Sequence, residues 1–203
     1  FEPETSDALG FGFRCGFLGL LHMEIIQQRL EREEDMDLVQ TAPTVTYRIV
    51  QNNGEEVEIH SPSEMPDPGL ISEYLEPIVR CNIVAPTDSI GAIMKLCTDR
   101  RGLYVGTEHY GAMRVMLSWD MPFAEIIFDF HDRLKSATRG YATMDYEMNG
   151  YRAASLARVS LLVSNQEVDA LSFICHRDQA EQRGRKILQK LRKEIPRHLF
   201  EVA

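Results

Sequence analysis

Residues 78–101 read IVRCNIVAPTDSIGAIMKLCTDRR, and they contain a change of period. Val79, Cys81, Ile83 and Ala85 alternate, which puts four apolar side chains on one face of an extended strand. Pro86 stops the strand, because proline has no amide hydrogen to give to a ladder. Thr87 or Asp88 is then placed to cap a helix in which Ile90, Ile93, Met94 and Cys97 recur at i, i+3, i+4 and i+7. Arg100 and Arg101 suit the negative end of that helix, and Gly102 suits its C-cap.

Working downstream, two strands flank a Tyr110-Gly111 turn, the second alternating through Met113, Val115, Leu117 and Trp119. Asp120 and Pro122 read as the opening of another helix, an N-cap with proline in the first turn. Its apolar stripe is Phe123, Ile126, Ile127, Phe130 and Leu134, with an end near Gly140. A last strand, YATMDYEM, covers 141–148. The order is βαββαβ, the split unit of a ferredoxin-like sandwich. The predicted class is therefore α+β, with one complete sandwich at 76–155.

Upstream, residues 1–60 predict a β-hairpin, a helix over Leu20 to about Glu34 and a strand within MDLVQTAPTVTYRIV, which Asn53-Gly54 turns into EEVEIH. This resembles half of a second sandwich with its first βα missing. Three prolines and a glycine in SPSEMPDPGLISEY mark a linker at 61–75. Residues 156–203 add a strand, a turn and a basic helix, the start of a further α/β domain.

The glycines of LGFGFRCGFLGLLHME, residues 9–24, invite a nucleotide-loop reading. Gly10, Gly12, Gly16 and Gly19 are spaced GxGxxxGxxG, one residue too long for a dinucleotide fingerprint. The chain contains no GxxxxGK[ST], so no lysine would reach the outer phosphates. Strand glycines that allow another backbone to pack closely are the expectation instead. HRD at 176–178 lacks the asparagine that a kinase loop needs, Arg183 standing in its place. Asp129 and Asp132 lie one turn apart and could share an ion, but a solvated outer face suits them better. His22 reads as a structural hydrogen-bonding residue. No catalytic set is legible, and no cofactor or metal site is expected in this chain. Cys15, Cys81, Cys97 and Cys175 have neither CxxC nor zinc spacing, so buried free thiols in a reducing compartment are expected.

Net charge is −9, yet Ile174–Phe200 carries eight Lys/Arg against three Asp/Glu, a net of +5. The rest of the chain then carries −14. Arg177, Arg183, Arg185, Lys186, Lys190, Arg192, Lys193 and Arg197 are the basic concentration, one end turned to an anionic partner. Arg183, Lys186 and Lys190, at i, i+3 and i+7, predict a phosphate-facing ridge on one side of a helix. Arg133, Lys135 and Arg139, near the end of the second sandwich helix, are a second RNA candidate. No apolar run approaches the roughly 20 residues that span a bilayer. The acidic start FEPETSDALG is unlike a signal peptide, which predicts a cytoplasmic protein.

LGFGFRCGFLGLLHMEIIQQRLERE resembles the third domain of the LepA (elongation factor 4) family, translational GTPases related to elongation factor G. EPIVRCNIVAPTDSIGAIMKLCTDRRG, MPFAEIIFDFHDRLKSATRGYATMDYE and VDALSFICHRDQAEQRGRKILQKLRKEIPRHLFEVA resemble later segments of the same family in the same order. The resemblance implies a fragment: a partial third domain, a fifth-domain sandwich and the beginning of the C-terminal domain. It implies GTP and magnesium for the full-length protein but no GTP site here. Implied partners are the ribosome (large-subunit RNA, the stalk base and tRNA) and the family's GTP-binding and barrel domains, with a monomeric chain. It further implies work in back-translocation of tRNAs, fidelity or ribosome assembly, and a cytoplasmic site that extends to the membrane periphery. Without the resemblance, a stand-alone regulatory module binding a small metabolite between plait elements is the alternative.

Overall fold

The computed structural model describes residues 1–6, 8–17 and 19–194. In chain order its elements are β1 (Glu2–Ser6), β2 (Gly10–Arg14), α1 (Leu20–Glu33), β3 (Tyr47–Gln51), β4 (Glu56–Ile59), β5 (Ile71–Pro86), α2 (Ile90–Asp99), β6 (Leu103–Tyr110), β7 (Arg114–Pro122), α3 (Phe130–Ala137), β8 (Thr143–Ala153), β9 (Leu156–Val159), β10 (Leu162–Val163), β11 (Gln166–Glu167), β12 (Phe173–His176) and α4 (Arg177–Glu194). They divide into two compact units, residues 1–43 with 159–173, and residues 44–158 with 174–203.

In the first unit β1 and β2 form an antiparallel hairpin from Glu2↔Arg14 to Ser6↔Gly10. Gly10 closes the turn at φ +80°, a left-handed conformation in which glycine has no steric penalty. A Cβ added at Gly12, Gly16 or Gly19 would meet no described heavy atom within 4 Å. Among the described residues, then, no backbone packs closely on these three glycines, contrary to the expectation from sequence. Helix α1 has the bounds its period predicts, while Leu21 and Ile25 on it are 70% and 47% exposed. His22 packs edge-on to the ring of Phe17.

The second unit holds the sandwich. Strands β8, β5, β7 and β6 lie in that order, all antiparallel, the sequence 4-1-3-2 expected of βαββαβ. One face of this sheet, with Val79, Cys81, Ile83, Val115, Leu117, Trp119 and Met121, packs on Ile93 and Cys97 of α2 and on Phe130 and Leu134 of α3. Complete burial of each large apolar side chain contributes about 1.5–3 kcal/mol, so this cluster is the main source of stability. Three of the four cysteines are buried as expected, but Cys15 is exposed. Burial pushes the Cys81 and Cys97 thiols up to about 12, so neither is a nucleophile at neutral pH.

Three boundaries differ from the sequence reading. β5 starts at Ile71, inside the expected linker, and β3 pairs with it from Arg48↔Leu75 to Gln51↔Ile71. Hydrogen bonding of the six-stranded sheet thus runs on through β3 and β4. Of the strand expected within 36–50, only the part from Tyr47 onward is extended in a ladder. Asp120 and Pro122 open no helix, because both belong to β7, paired with Arg80 and Ile78. Arg80 Nε donates to Asp120 at 2.5 Å and Asn149 donates to it at 3.0 Å, a cross-sheet role that overrides its local capping preference. A 3-10 turn, Phe123–Glu125, follows, and α3 begins only at Phe130.

Candidate nucleic-acid interface

The basic helix α4 is anchored through its N-terminal approach. Ile174 packs against a second apolar cluster formed by Val45, Tyr47, Ile49, Ile59, Met65 and Leu156. The Tyr47 hydroxyl donates to the Ile174 carbonyl at 3.4 Å. Burial drives the Tyr47 phenol well above its ordinary range, with the Glu76 carboxylate adding to the effect. At the head of α4 the Arg177 amide donates to the Ser155 carbonyl at 2.8 Å.

Along α4 the half-buried or buried positions are Gln179 in the first turn and then Ala180, Arg183, Gly184, Ile187 and Leu191, the last five a stripe at helical spacing. Arg183 lies on this inner stripe. Its guanidinium donates to both carboxylate oxygens of Glu125, at 3.3 and 3.2 Å. Glu125 is 3% exposed, and Arg101 (3.4 Å) and Arg100 (3.7 Å) also reach it. Arg101 bridges from there to Glu76, 2% exposed, with two bonds of 2.9 and 2.8 Å, and Arg152 reaches Glu76 at 3.4 Å. Burial works against the charge of Arg101, but Glu76 and Glu125 outweigh it and hold the guanidinium protonated more firmly than in water. Two carboxylates inside a sandwich are tolerable only because so many arginines converge on them.

The ridge expected from sequence is therefore displaced. Arg183 is engaged internally, whereas Lys186, Lys190 and Lys193 are exposed and make no ion pair among the described residues. These three lysines, at i, i+4 and i+7, share one flank of α4. Arg185 pairs with Glu181 on a different flank, and Arg177 and Arg192 are exposed. Arg197 lies outside the described residues.

The second candidate set is divided as well. Arg133 is in an i, i+4 pair with Asp129 at 2.6 Å, and Arg100 holds the other oxygen of the same carboxylate. Burial tends to raise the pKa of Asp129, but the bonds from Arg100 and Arg133 more than reverse this and hold the carboxyl below its ordinary value. Asp129, once a candidate ion ligand with Asp132, is thus committed to arginines. Lys135 reaches the Gly140 carbonyl at 3.5 Å, at the end of α3. Arg139 is exposed in a left-handed conformation (φ 53°) and lines a cleft of about 210 Å³ with Pro86, Asp88, Ser89, Thr138 and Tyr141. The chain of ion pairs Arg133–Asp129–Arg100–Glu125–Arg183 connects the two basic groups. The signal that could have revealed it is a carboxylate inside an apolar run: Glu125 sits among Phe123, Ile126 and Ile127, and Glu76 directly before PIV.

The family model described as Elongation factor G C-terminus matches residues 73–160, and that described as GTP-binding protein LepA C-terminus matches residues 163–203. A protein named elongation factor 4 1 from Rhodopirellula baltica is 61% identical over all 203 residues. Elongation factor 4 proteins of Desulforudis audaxviator and Symbiobacterium thermophilum are 56% and 54% identical over 202 residues. The chain belongs to the LepA family. It spans about a third of the length of these LepA-family relatives, 34% in each case. A solved crystal structure from Thermus thermophilus overlaps 58% of this chain and 14% of its own length, at a TM-score of 0.39 and 20% identity, a likeness too slight to argue from. The LepA-specific match contains the whole of α4 with its lysine flank, and the match to elongation factor G runs from β5 to β9. No described helix is long and apolar enough to cross a membrane.

Proposed function

We propose that this chain is the ribosome-engaging, non-catalytic share of a LepA-type translation factor, and that it holds ribosomal RNA through the lysine flank of α4. In this reading residues 1–60 correspond to part of the family's third domain, 76–155 to its fifth, and 156–203 to the start of its C-terminal domain. GTP and magnesium belong to a domain outside this chain. The task of the whole factor, in the cytoplasm, is the handling of tRNAs on the ribosome or the assembly of ribosomal subunits.

The observation that carries the reading is the contrast on α4. Lys186, Lys190 and Lys193 are exposed and have no ion-pair partner among the described residues, on a chain whose net charge is −9. Such a ridge fits phosphates spaced along an RNA backbone, and binding by it should weaken steeply with salt. Co-sedimentation of the 203-residue chain with bacterial 70S ribosomes at about 50 and 200 mM salt, a range over which three phosphate contacts lose on the order of 30-fold in affinity, tests this. The expected result is salt-sensitive binding that is lost when the three lysines are changed to Glu. Equal binding by both proteins at both salt concentrations would remove α4 from the interface.

A further inference from the structure

We propose that Arg183 is a positioning residue: through the buried Glu125 it fixes α4 on the sandwich, so that Lys186, Lys190 and Lys193 form the phosphate-facing ridge and Arg183 itself touches no RNA. The inference rests on the RNA-binding role proposed above and names which cations of α4 perform it.

Lys186 is exposed, three residues on from the half-buried Arg183 of the inner stripe. A guanidinium bonded to both oxygens of a carboxylate that is 3% exposed has exchanged water for a fixed geometry. Moving Arg183 onto a phosphate would take one of its three arginines from Glu125, and nothing on α4 stands ready to replace it. The lysines incur no such cost. Their ammonium groups have no internal partner among the described residues, and only their rotation about the helix axis decides whether they face outward together.

Two anchors bear on that rotation. The Tyr47–Ile174 contact holds the chain just before α4, and the Arg183–Glu125 pair holds it two turns into the helix. Gly184, beside Arg183, is the buried residue of α4. The half-buried stripe chooses which side of α4 faces inward, and these two attachments refine its axis and phase. A helix is a rigid rod over this length, so an error in phase at Arg183 is carried in full to Lys190 and Lys193.

Glu125 also explains why Arg183 can be tested without unfolding the sandwich. Changing Glu125 to Gln leaves Arg101 on Glu76 with both of its short bonds and leaves Arg100 on Asp129. The experiment is a double-mutant cycle with Glu125→Gln, Arg183→Gln and the combined variant. It is read by co-sedimentation with 70S ribosomes and, separately, by amide hydrogen exchange across α4 in the absence of ribosomes, with thermal unfolding as the check on folding. The expected result is a several-fold loss of ribosome binding in each single variant and no further loss in the double, because both remove the same anchor. Exchange in α4 should accelerate roughly tenfold or more while exchange in β5 and β7 holds. A control, Lys190→Gln, should weaken binding and lower the salt slope by about one, with exchange in α4 unchanged.

Direct contact predicts the opposite for Glu125. Freed from its carboxylate, Arg183 would be more available, so Glu125→Gln would bind as well as the native chain or more tightly while Arg183→Gln alone lost binding. That pattern overturns the proposal, as does unchanged exchange in α4 of the Arg183→Gln variant. If the native chain fails to bind ribosomes, the RNA reading falls. The exchange measurement still decides the anchor in that case, because it needs no ribosome.

Discussion

Both helices of the sandwich end on Arg-Gly, and the two ends do different work. At the end of α2, Arg101 takes the left-handed conformation at φ 60°, and at the end of α3 Arg139 does so at φ 53°. A non-glycine residue there carries a strain of about 1–2 kcal/mol. At α2 the strain is offset, since it directs a guanidinium onto Glu76 and Glu125 inside the protein. At α3 no internal partner is visible among the described residues, and Arg139 faces an open cleft beside Tyr141. The same dipeptide is a structural rivet in one place and an exposed cation in the other. What differs is the surrounding carboxylates, which the local sequence does not contain.

The strongest way to break this comparison is to remove each arginine in turn. Arg101→Ala strips Glu76 of both short bonds and Glu125 of one partner, so we expect a loss of about 3 kcal/mol, the lower end for a broken buried pair because Arg152, Arg100 and Arg183 remain. Arg139→Ala is expected to stay within about 0.5 kcal/mol of the native chain, as surface changes do. Urea unfolding of both variants measures the difference. Equal losses would mean that the network is not what distinguishes the two ends.

The glycines sharpen it next. A Cβ at Gly102 would lie 2.3 Å from Met121 Sδ and 2.9 Å from the Cys97 carbonyl oxygen, the acceptor that ends α2. The sulfur can rotate away but the carbonyl cannot, so Gly102→Ala should cost about 2 kcal/mol by overpacking. Gly140 has open space around its Cβ position, and its constraint is backbone conformation alone, φ +86°. Thermal unfolding of Gly102→Ala checks the first figure; a change below about 0.5 kcal/mol would show that the end of α2 yields more than its packing suggests.

These contrasts also explain how far the sequence could be read. Val79, Cys81, Ile83 and Ala85, and then Ile90, Ile93, Met94 and Cys97, announce a strand and a helix because period is a local property. The βαββαβ order followed, and the four-strand arrangement agrees with it. Asp120 and Pro122 misled, because a capping carboxylate followed by proline looks the same as a strand end whose carboxylate is held by Arg80, 40 positions earlier. The basic helix was legible as charge, but its internal division was not. Whether Arg183 or Lys193 faces outward depends on Glu125, which lies 58 positions before Arg183. Arg101 looks in sequence like a helix-end cation, but in the structure it is a partner of Glu76 across 25 positions.

The smallest effect concerns the one carboxylate of the network that lies nearer the surface. Asp129 is 47% exposed, bound by Arg100 and Arg133, and its pKa lies below the ordinary value of 3.8. A depressed folded-state pKa means that the unfolded chain takes up the proton first as pH falls. The contribution of Asp129 is therefore fully present above the unfolded-state value and is lost as pH drops through the lower, folded-state value. Exposure and salt screening keep it modest. The expected outcome is that Asp129→Asn is slightly less stable than the native chain at pH 7 and that the two converge as pH falls below the ordinary value of 3.8 and through the depressed folded-state value. Chemical denaturation at a series of pH values compares them. Curves that stay parallel throughout that acid range would show that the Arg100 and Arg133 bonds exert no net pull on the proton of Asp129. The ion-pair chain from α3 to α4 would then begin at Glu125, leaving Arg133 as free for an anionic partner as Arg139.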